Sequence, residues 1–156
     1  MTRRVLITIV LASALLSCAP SGNFQQFVKA SEVDFLGRYA FPIDFTDSLS
    51  RYDISVLTRI DSTPEKFSSA GDMRFSARFV SPEGNIYLLD EFVIPFESYT
   101  SSSTFTRDYV FPLLRGTRPV ENGEWMLYIS PEGKCPDGFR GLGIIIEKDS
   151  LWERTN

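Results

Sequence analysis

Residues 73–84 read MRFSARFVSPEG, and this stretch decides the fold class. Its first residues alternate between an apolar and a polar set, Met73, Phe75, Ala77 and Phe79 against Arg74, Ser76 and Arg78. Alternation with a period of two predicts a strand with one buried and one solvated face, as in antiparallel sheets. In the Ser-Pro-Glu-Gly that follows, proline presets a type I turn and glycine tolerates the left-handed conformation that closes it. The stretch therefore predicts a strand that runs into a hairpin.

Several other stretches carry strand patterns. Residues 51–60 (RYDISVLTRI) divide into two faces, Tyr52, Ile54, Val56 and Ile60 against Asp53, Ser55 and Arg59. Residues 104–111 (TFTRDYVF) divide likewise, Phe105, Tyr109 and Phe111 against Thr104, Thr106 and Asp108. Residues 125–129 (WMLYI) and 142–147 (LGIIIE) are more continuously apolar, which suits central strands or strands covered on both faces. Residues 24–36 allow either a short helix or an early strand.

Turn chemistry separates these strands. A second Ser-Pro-Glu-Gly at residues 130–133 predicts another hairpin turn, and Asn-Gly within residues 121–124 (ENGE) predicts a type I′ turn. Residues 138–143 (GFRGLG) have the spacing of a glycine-rich phosphate loop, but no Walker lysine and no helix follows them. They are interpreted as a bend or bulge where strands approach closely.

The strand and turn patterns together predict an all-β protein. Thirteen Phe and six Tyr are spread along short strands, as the core of a sandwich or barrel requires. The expected fold is an antiparallel two-sheet β-sandwich, jelly-roll-like, of about eight strands.

The N-terminus has the layout of a secretory signal. Arg3 and Arg4 precede an apolar run at residues 5–16 (VLITIVLASALL), and Ser17 and Cys18 follow it. The run is too short for a membrane-spanning helix, which needs about 20 apolar residues. Residues 15–18 (LLSC) resemble a bacterial lipobox, which implies diacylation of the Cys18 thiol and cleavage after Ser17. The alternative is that Cys18 is an ordinary cysteine in a signal cut elsewhere or in a core helix.

This interpretation divides the chain into three parts: a lipoprotein-type signal at residues 1–17, the lipidated Cys18 with a short tether at residues 18–23, and a sandwich domain at residues 24–156. The signal contains two arginines and no acid, so the mature chain has 14 Lys and Arg against 20 Asp and Glu. This acidic balance argues against a nucleic-acid partner. We expect a membrane partner through the lipid and, in addition, other envelope proteins.

The residue inventory offers little catalytic chemistry. The chain has no histidine, which excludes Ser-His-Asp and Cys-His catalysis and the common histidine metal sites. Cys135 is the only cysteine besides Cys18 and is interpreted as incidental, the alternatives being a reactive thiol or an intermolecular bridge. No enzyme activity, cofactor or metal is expected.

A few residues are weak candidates for a site. The paired acids Asp90–Glu91 and Asp44/Asp47 could serve a glycosidase, but they lie beside predicted strand ends and turns and are interpreted as solvated surface groups. The polar loop at residues 98–106 is interpreted as a plain connection rather than a partner contact. Four aromatic residues could form a sugar-stacking platform but are interpreted as core or interface residues: Tyr87, Tyr99, Trp125 and Tyr128.

Several features follow one another in a distinctive order. They are the lipobox, YDISVLTRID (52–61), FVSPEGNIYLLDEFVIP (79–95), RDYVFPLLRGTRPVENGEWMLYI (107–129) and GLGIIIEK (141–148). This order resembles the gliding-motility lipoprotein GldH family of Bacteroidetes. The resemblance implies a non-enzymatic, lipid-anchored envelope β-protein of the gliding machinery, or of a related envelope or secretion complex, and supplies no catalytic residues.

Two further expectations concern location and an alternative function. No Asp follows Cys18, and residues 19–23 (APSGN) lack an acidic run, so the chain resembles outer-membrane lipoproteins that face the periplasm. A glycan- or small-ligand-binding sandwich is the alternative function, and a hydrolase would need two facing carboxylates.

Overall fold

The structure is a computed structural model that describes residues 23–148. The expected signal, Cys18 and the expected tether up to residue 22 lie outside the described residues, as do residues 149–156. Residue 23, assigned to the tether from the sequence, already opens the first strand.

Nine strands and one short helix make up the described part: β1 (Asn23–Lys29), β2 (Tyr39–Phe45), β3 (Tyr52–Asp61), α1 (Pro64–Phe67), β4 (Met73–Val80), β5 (Ile86–Ile94), β6 (Ser101–Ser102), β7 (Thr106–Thr117), β8 (Gly123–Pro131) and β9 (Phe139–Lys148). The segment at residues 24–36, left open between helix and strand, therefore begins as strand β1. No helix within residues 23–148 has the length and apolar character needed to cross a bilayer.

The strands form two antiparallel sheets. The first sheet has the order β1-β9-β3-β7-β6 and the second the order β2-β8-β4-β5. Without the two-residue β6, each sheet has four strands, and the chain repeatedly crosses from one sheet to the other. This is the strand order of a jelly roll. The expected all-β sandwich of about eight strands is confirmed.

The core lies between the sheets and follows the predicted alternation. On β4, Met73, Phe75, Ala77 and Phe79 are buried, while on β3 every second residue from Tyr52 to Ile60 is buried. The apolar segments at 125–129 and 142–147 lie in β8 and β9, each flanked by a strand on both sides. Both predictions of central strands are confirmed.

Only one of the predicted hairpin turns joins neighbouring strands. At the first Ser-Pro-Glu-Gly, the Gly84 amide donates to the Ser81 carbonyl at 2.9 Å, and Gly84 has φ +86°, so β4 returns as β5. The hairpin predicted at residues 130–133 is wrong, and so is the type I′ turn predicted at residues 121–124, because Asn122 lacks the positive φ which that turn requires. β7, β8 and β9 lie alternately in the first, second and first sheets, so both connections cross the sandwich.

The prediction for residues 104–111 is wrong at its start. The strand begins at Thr106, and Phe105 is exposed. The Ser103 amide donates to the Thr106 carbonyl at 2.8 Å, so the chain is turning at this point and the period of two does not yet apply.

The glycine-rich segment at residues 138–143 is a place of close strand approach, as predicted. A Cβ on Gly141 would lie 2.2 Å from the Val28 carbonyl oxygen of β1, and one on Gly143 would lie 2.7 Å from that of Gln26. The pairing of β3 with β9 also shifts register between Thr58 and Ile60. Here the Thr58 hydroxyl donates to the Gly141 carbonyl at 2.6 Å.

Candidate functional site

One member of each candidate carboxylate pair, Glu91 and Asp47, takes part in a local ion pair and hydrogen bonds. Glu91 accepts a hydrogen bond from Arg74 at 2.8 Å, and its neighbour Asp90 lies where the β4–β5 pairing shifts register. The Asp47 carboxylate accepts from the Ser50 hydroxyl at 2.5 Å and the Leu49 amide at 2.8 Å, with the Lys148 ammonium at 3.2 Å. These donors, Ser50 foremost, lower the pKa of Asp47 to about 2. Such contacts stabilise the loop between β2 and β3 and keep the Asp47 carboxylate ionised.

The four candidate aromatic residues lie in three different places. Tyr87 and Trp125 contact each other at one end of the sandwich, with ring centroids 5.6 Å apart. Tyr128 is on the outer face of the second sheet, where Arg38 and Arg78 contact it. Tyr99 packs edge-on against Tyr109 at 6.5 Å. The four residues therefore do not form one sugar-stacking platform, because alternate residues of β8 point to opposite faces and separate Trp125 from Tyr128.

The pair of Tyr87 and Trp125 belongs to an apolar cavity of about 160 Å³ between the two sheets. We call this cavity the end pocket. It lies where β3, β5 and β8 begin and where β2, β4 and β7 end, and it is partly open. Its buried walls include Ile54, Phe79 and Trp125, while Tyr87 is 42% exposed and Val120 is 69% exposed.

The polar atoms of two aromatic walls, Trp125 and Tyr52, bond away from this space. The Trp125 indole N–H donates to the Glu121 carbonyl at 3.1 Å, and the Tyr52 hydroxyl donates to the Asp47 carbonyl at 3.0 Å. A water molecule is stable in a cavity only with two to four polar partners, and an apolar cavity of about 150 Å³ stays dry and takes up benzene. The end pocket is suited to a hydrocarbon group.

A second depression, of about 340 Å³, lies on the outer face of the second sheet around Tyr128. We call it the Tyr128 depression. The guanidinium carbons of Arg38 and Arg78 lie 4.2 Å and 5.1 Å from the ring centroid, and Arg38 also pairs with Asp34 at 2.8 Å. The remaining lining is mixed and includes Ser76, Asp90, Ser130 and Glu132. Charged groups and hydroxyls around one aromatic ring can hydrogen-bond a polar ligand.

A third cluster surrounds Arg107. Its guanidinium carbon lies 4.6 Å from the ring centroids of Phe67 and Phe96 and 4.8 Å from that of Tyr99. A guanidinium nitrogen lies 3.6 Å from a carboxylate oxygen of Glu97. The side chain is largely buried, so the rings stabilise a desolvated cation. The cluster connects three elements: helix α1, the loop that follows β5, and strand β7. On either side of β6, the Thr100 and Ser103 amides donate to the carbonyls of Asp108 and Thr106, which is consistent with a plain connection at residues 98–106.

Cys135 is half-buried beside the core. Burial raises the pKa of its thiol, and burial, then the nearby Cys135, raises the pKa of Tyr39 to about 12. A protonated thiol is a poor nucleophile, so these surroundings favour the incidental interpretation over the reactive one. Within residues 23–148, no group of three or more acidic, cysteine or histidine side chains could hold a metal ion.

The sequence did not reveal the end pocket. Its walls come from six strands and from residues 118–120, which carry no pattern of their own. The contact of Trp125 with Tyr87 depends on β5 and β8 lying two strands apart in one sheet.

No protein-family model and no curated protein matches the chain. Among solved structures, it is similar to a carbohydrate-binding module, CBM28, specific for non-crystalline cellulose, with 11% identity over 81% of this chain and 73% of that one and a TM-score of 0.41. It is also similar to the CspB protease of Clostridium perfringens, with 11% identity, 83% and 26% coverage and a TM-score of 0.36. A protein of Sulfurospirillum deleyianum shares 8% identity, with 82% and 98% coverage and a TM-score of 0.38. No residue assignment follows from these similarities.

Proposed function

We propose that this protein is a lipid-anchored, non-enzymatic component of the bacterial cell envelope, acting in the gliding machinery or in a related envelope or secretion complex. The observation that carries the proposal is the distance along the chain between Cys18 and the sandwich. Strand β1 opens at Asn23, five residues after Cys18. Five extended residues span at most about 18 Å, so a lipid on Cys18 would hold the sandwich close to the bilayer.

Acylation at Cys18 would make the attachment stable. Each buried methylene contributes about 0.8 kcal/mol, and two or more chains together anchor a protein firmly, whereas one chain binds reversibly. The absence of Asp after Cys18 supports the outer membrane, with the sandwich facing the periplasm. In that position the domain would meet other envelope proteins.

The test of the anchor uses the two cysteines of the chain as variant and control. Cys18→Ala is expected to abolish incorporation of labelled palmitate and to remove the protein from the detergent phase. Cys135→Ala is expected to leave both unchanged, because Cys135 lies after β8 in the folded domain. Retention of Cys18→Ala in the detergent phase would contradict the anchor.

The assembly role needs a separate test. Crosslinking in intact cells followed by mild solubilisation is expected to recover other envelope proteins with the wild-type protein. Recovery of the protein alone with crosslinkers of several lengths would count against an assembly role. A deletion strain scored for surface spreading and for secretion then separates the gliding role from the secretion role.

A glycan-binding role is the second candidate, favoured by the Tyr128 depression. Its ring, guanidinium groups and hydroxyls form a surface on which a polar ligand could be bound. Tyr128→Ala is expected to reduce retardation in gels that contain a soluble polysaccharide. Met126→Ala, two residues away on the same strand face, is the control. Equal mobility of wild type and Tyr128→Ala in every polysaccharide would exclude this role for the depression.

A further inference from the structure

We infer that the end pocket binds the end of a fatty acyl chain. The inference rests on the proposed lipid anchor for the source of the chain, but the chemistry of the pocket stands on its own. The walls are almost wholly apolar, and the polar atoms of Tyr52 and Trp125 are satisfied by backbone carbonyls outside the cavity. A hydrocarbon would fill the space without leaving any of these groups unpaired.

The location of the pocket favours an acyl chain over other hydrocarbons as its ligand. Asn23 pairs with Glu147, and Glu147 pairs with Asp53, which lies between the pocket residues Tyr52 and Ile54. Two strand spacings amount to roughly 10 Å. The tether from Cys18 can span about 18 Å. A lipid on Cys18, or the bilayer that holds it, would therefore lie within reach of this end of the sandwich.

Exposed apolar side chains also lie around the pocket, beside the exposed Arg118 of its lining. Leu49, in the connection from β2 to β3, is 78% exposed, and Val120, in the connection from β7 to β8, is 69% exposed. Ile86 and Tyr87, at the start of β5, are also exposed. These side chains come from two connections and the start of β5, at one end of the sandwich. Exposed apolar groups gathered in this way mark a contact with a ligand or a membrane.

Trp125 provides a direct reporter. The chain has two tryptophans, so Trp152→Phe leaves Trp125 as the only one. In this background, with Cys18→Ser to prevent acylation, the exported protein is titrated with 10-bromodecanoate, whose terminal bromine quenches indole fluorescence on contact. We expect saturable quenching that unbrominated decanoate reverses. An absence of saturable quenching up to the solubility of the probe would overturn the inference.

Two matched substitutions locate the binding. Val120→Phe adds bulk to the pocket wall and is expected to weaken binding of the probe at least ten-fold, whereas Val110→Phe, on the exposed outer face of β7, is expected to leave it unchanged. Leu114→Phe is a second filling variant, and its thermal unfolding shows whether it is folded. Equal quenching in the two Val→Phe variants would place the probe elsewhere and overturn the inference.

Experiments with the acylated protein identify the natural source of the acyl chain. If the lipid on Cys18 occupies the pocket, the acylated form will bind 10-bromodecanoate more weakly than the Cys18→Ser form. If bilayer lipid occupies it, phosphatidylcholine vesicles brominated at the chain ends will quench Trp125 more strongly than vesicles brominated near the headgroup. Because the Cys18→Ser titration does not depend on acylation, failure of the anchor and failure of the pocket give different results.

Discussion

Tyr87 covers Trp125: their ring centroids are 5.6 Å apart and their planes are inclined by 34°. Tyr87 comes from β5 and is 42% exposed, whereas Trp125 comes from β8 and is only 6% exposed. The tyrosine thus shields a core tryptophan from solvent at the open end of the sandwich, next to the end pocket.

The contact predicts the effect of removing the tyrosine ring. In the Trp152→Phe background, Tyr87→Ala is expected to shift Trp125 emission to longer wavelength, because water gains access to the indole. Loss of the aromatic contact and part of its buried area is expected to lower the free energy of unfolding by about 1–2 kcal/mol. Leu88→Ala, next along the strand and on the outer face, is the control, with a change within about 0.5 kcal/mol. Unchanged emission in Tyr87→Ala would show that the ring does not shield Trp125.

Close approach of β1 and β9 predicts that Gly141 tolerates no side chain. A Cβ there would lie 2.2 Å from the Val28 carbonyl oxygen, and Gly141 has φ +134°. Gly141→Ala is expected to lower the free energy of unfolding in urea by about 2–4 kcal/mol, by steric overlap and backbone strain. Gly71→Ala is the control because its Cβ would meet no atom within 4 Å, and it is expected to be neutral or slightly stabilising. Similar stability of the two variants would contradict the close approach.

The lowered pKa of Asp47 predicts that the stability of the folded protein depends on pH. Its pKa is lowered from 3.8 to about 2 in the folded protein by Ser50, Leu49 and Lys148. The unfolded state therefore binds the proton first, and the stabilising contribution is full above about pH 4 and is lost as the pH falls towards 2. Asp47→Asn is expected to be less stable than wild type at neutral pH, with the difference shrinking across this window.

The measurement for Asp47 is the free energy of unfolding in urea between pH 2 and pH 7. Asp44→Asn, an exposed carboxylate on nearby β2, is the control for the general effect of removing one negative charge. A difference between wild type and Asp47→Asn that stays constant from pH 7 to pH 2 would contradict the assigned cause.

Arg107 of β7 is expected to stabilise the packing of two elements against that strand, helix α1 and the loop that follows β5. Arg107→Ala removes a cation from three ring faces and is expected to lower the free energy of unfolding by about 2 kcal/mol. Arg107→Lys keeps the charge but loses the planar contact, so it is expected to lie between wild type and alanine. The control is Arg115→Ala, which removes an exposed arginine 3.9 Å from Asp53 and is expected to cost less than about 0.5 kcal/mol. Equal urea unfolding of Arg107→Ala and wild type would contradict this role.

Much of the core could be predicted from local patterns, because strand alternation depends only on successive side chains pointing to opposite faces. The buried residues of β3 and β4 follow that pattern throughout. Phe105 departs from it because its backbone lies in a turn, where the period of two has not begun. Whether the four aromatic residues come together could not be predicted, since residue type alone does not say which face of which sheet carries a side chain.

Local sequence by itself determined strands β3, β4, β8 and β9, part of β7, the β4–β5 hairpin and the glycines where strands come close, because each depends on a few neighbouring residues. Strand order was decided only in the tertiary structure. Ser-Pro-Glu-Gly closes a hairpin at residues 81–84 but leads across the sandwich at 130–133. Burying the inner face of each sheet contributes more than the conformational preference of four turn residues. The hydrogen bond from Thr58 to Gly141 and the walls of the end pocket join segments far apart in the chain, and no local pattern specifies such contacts.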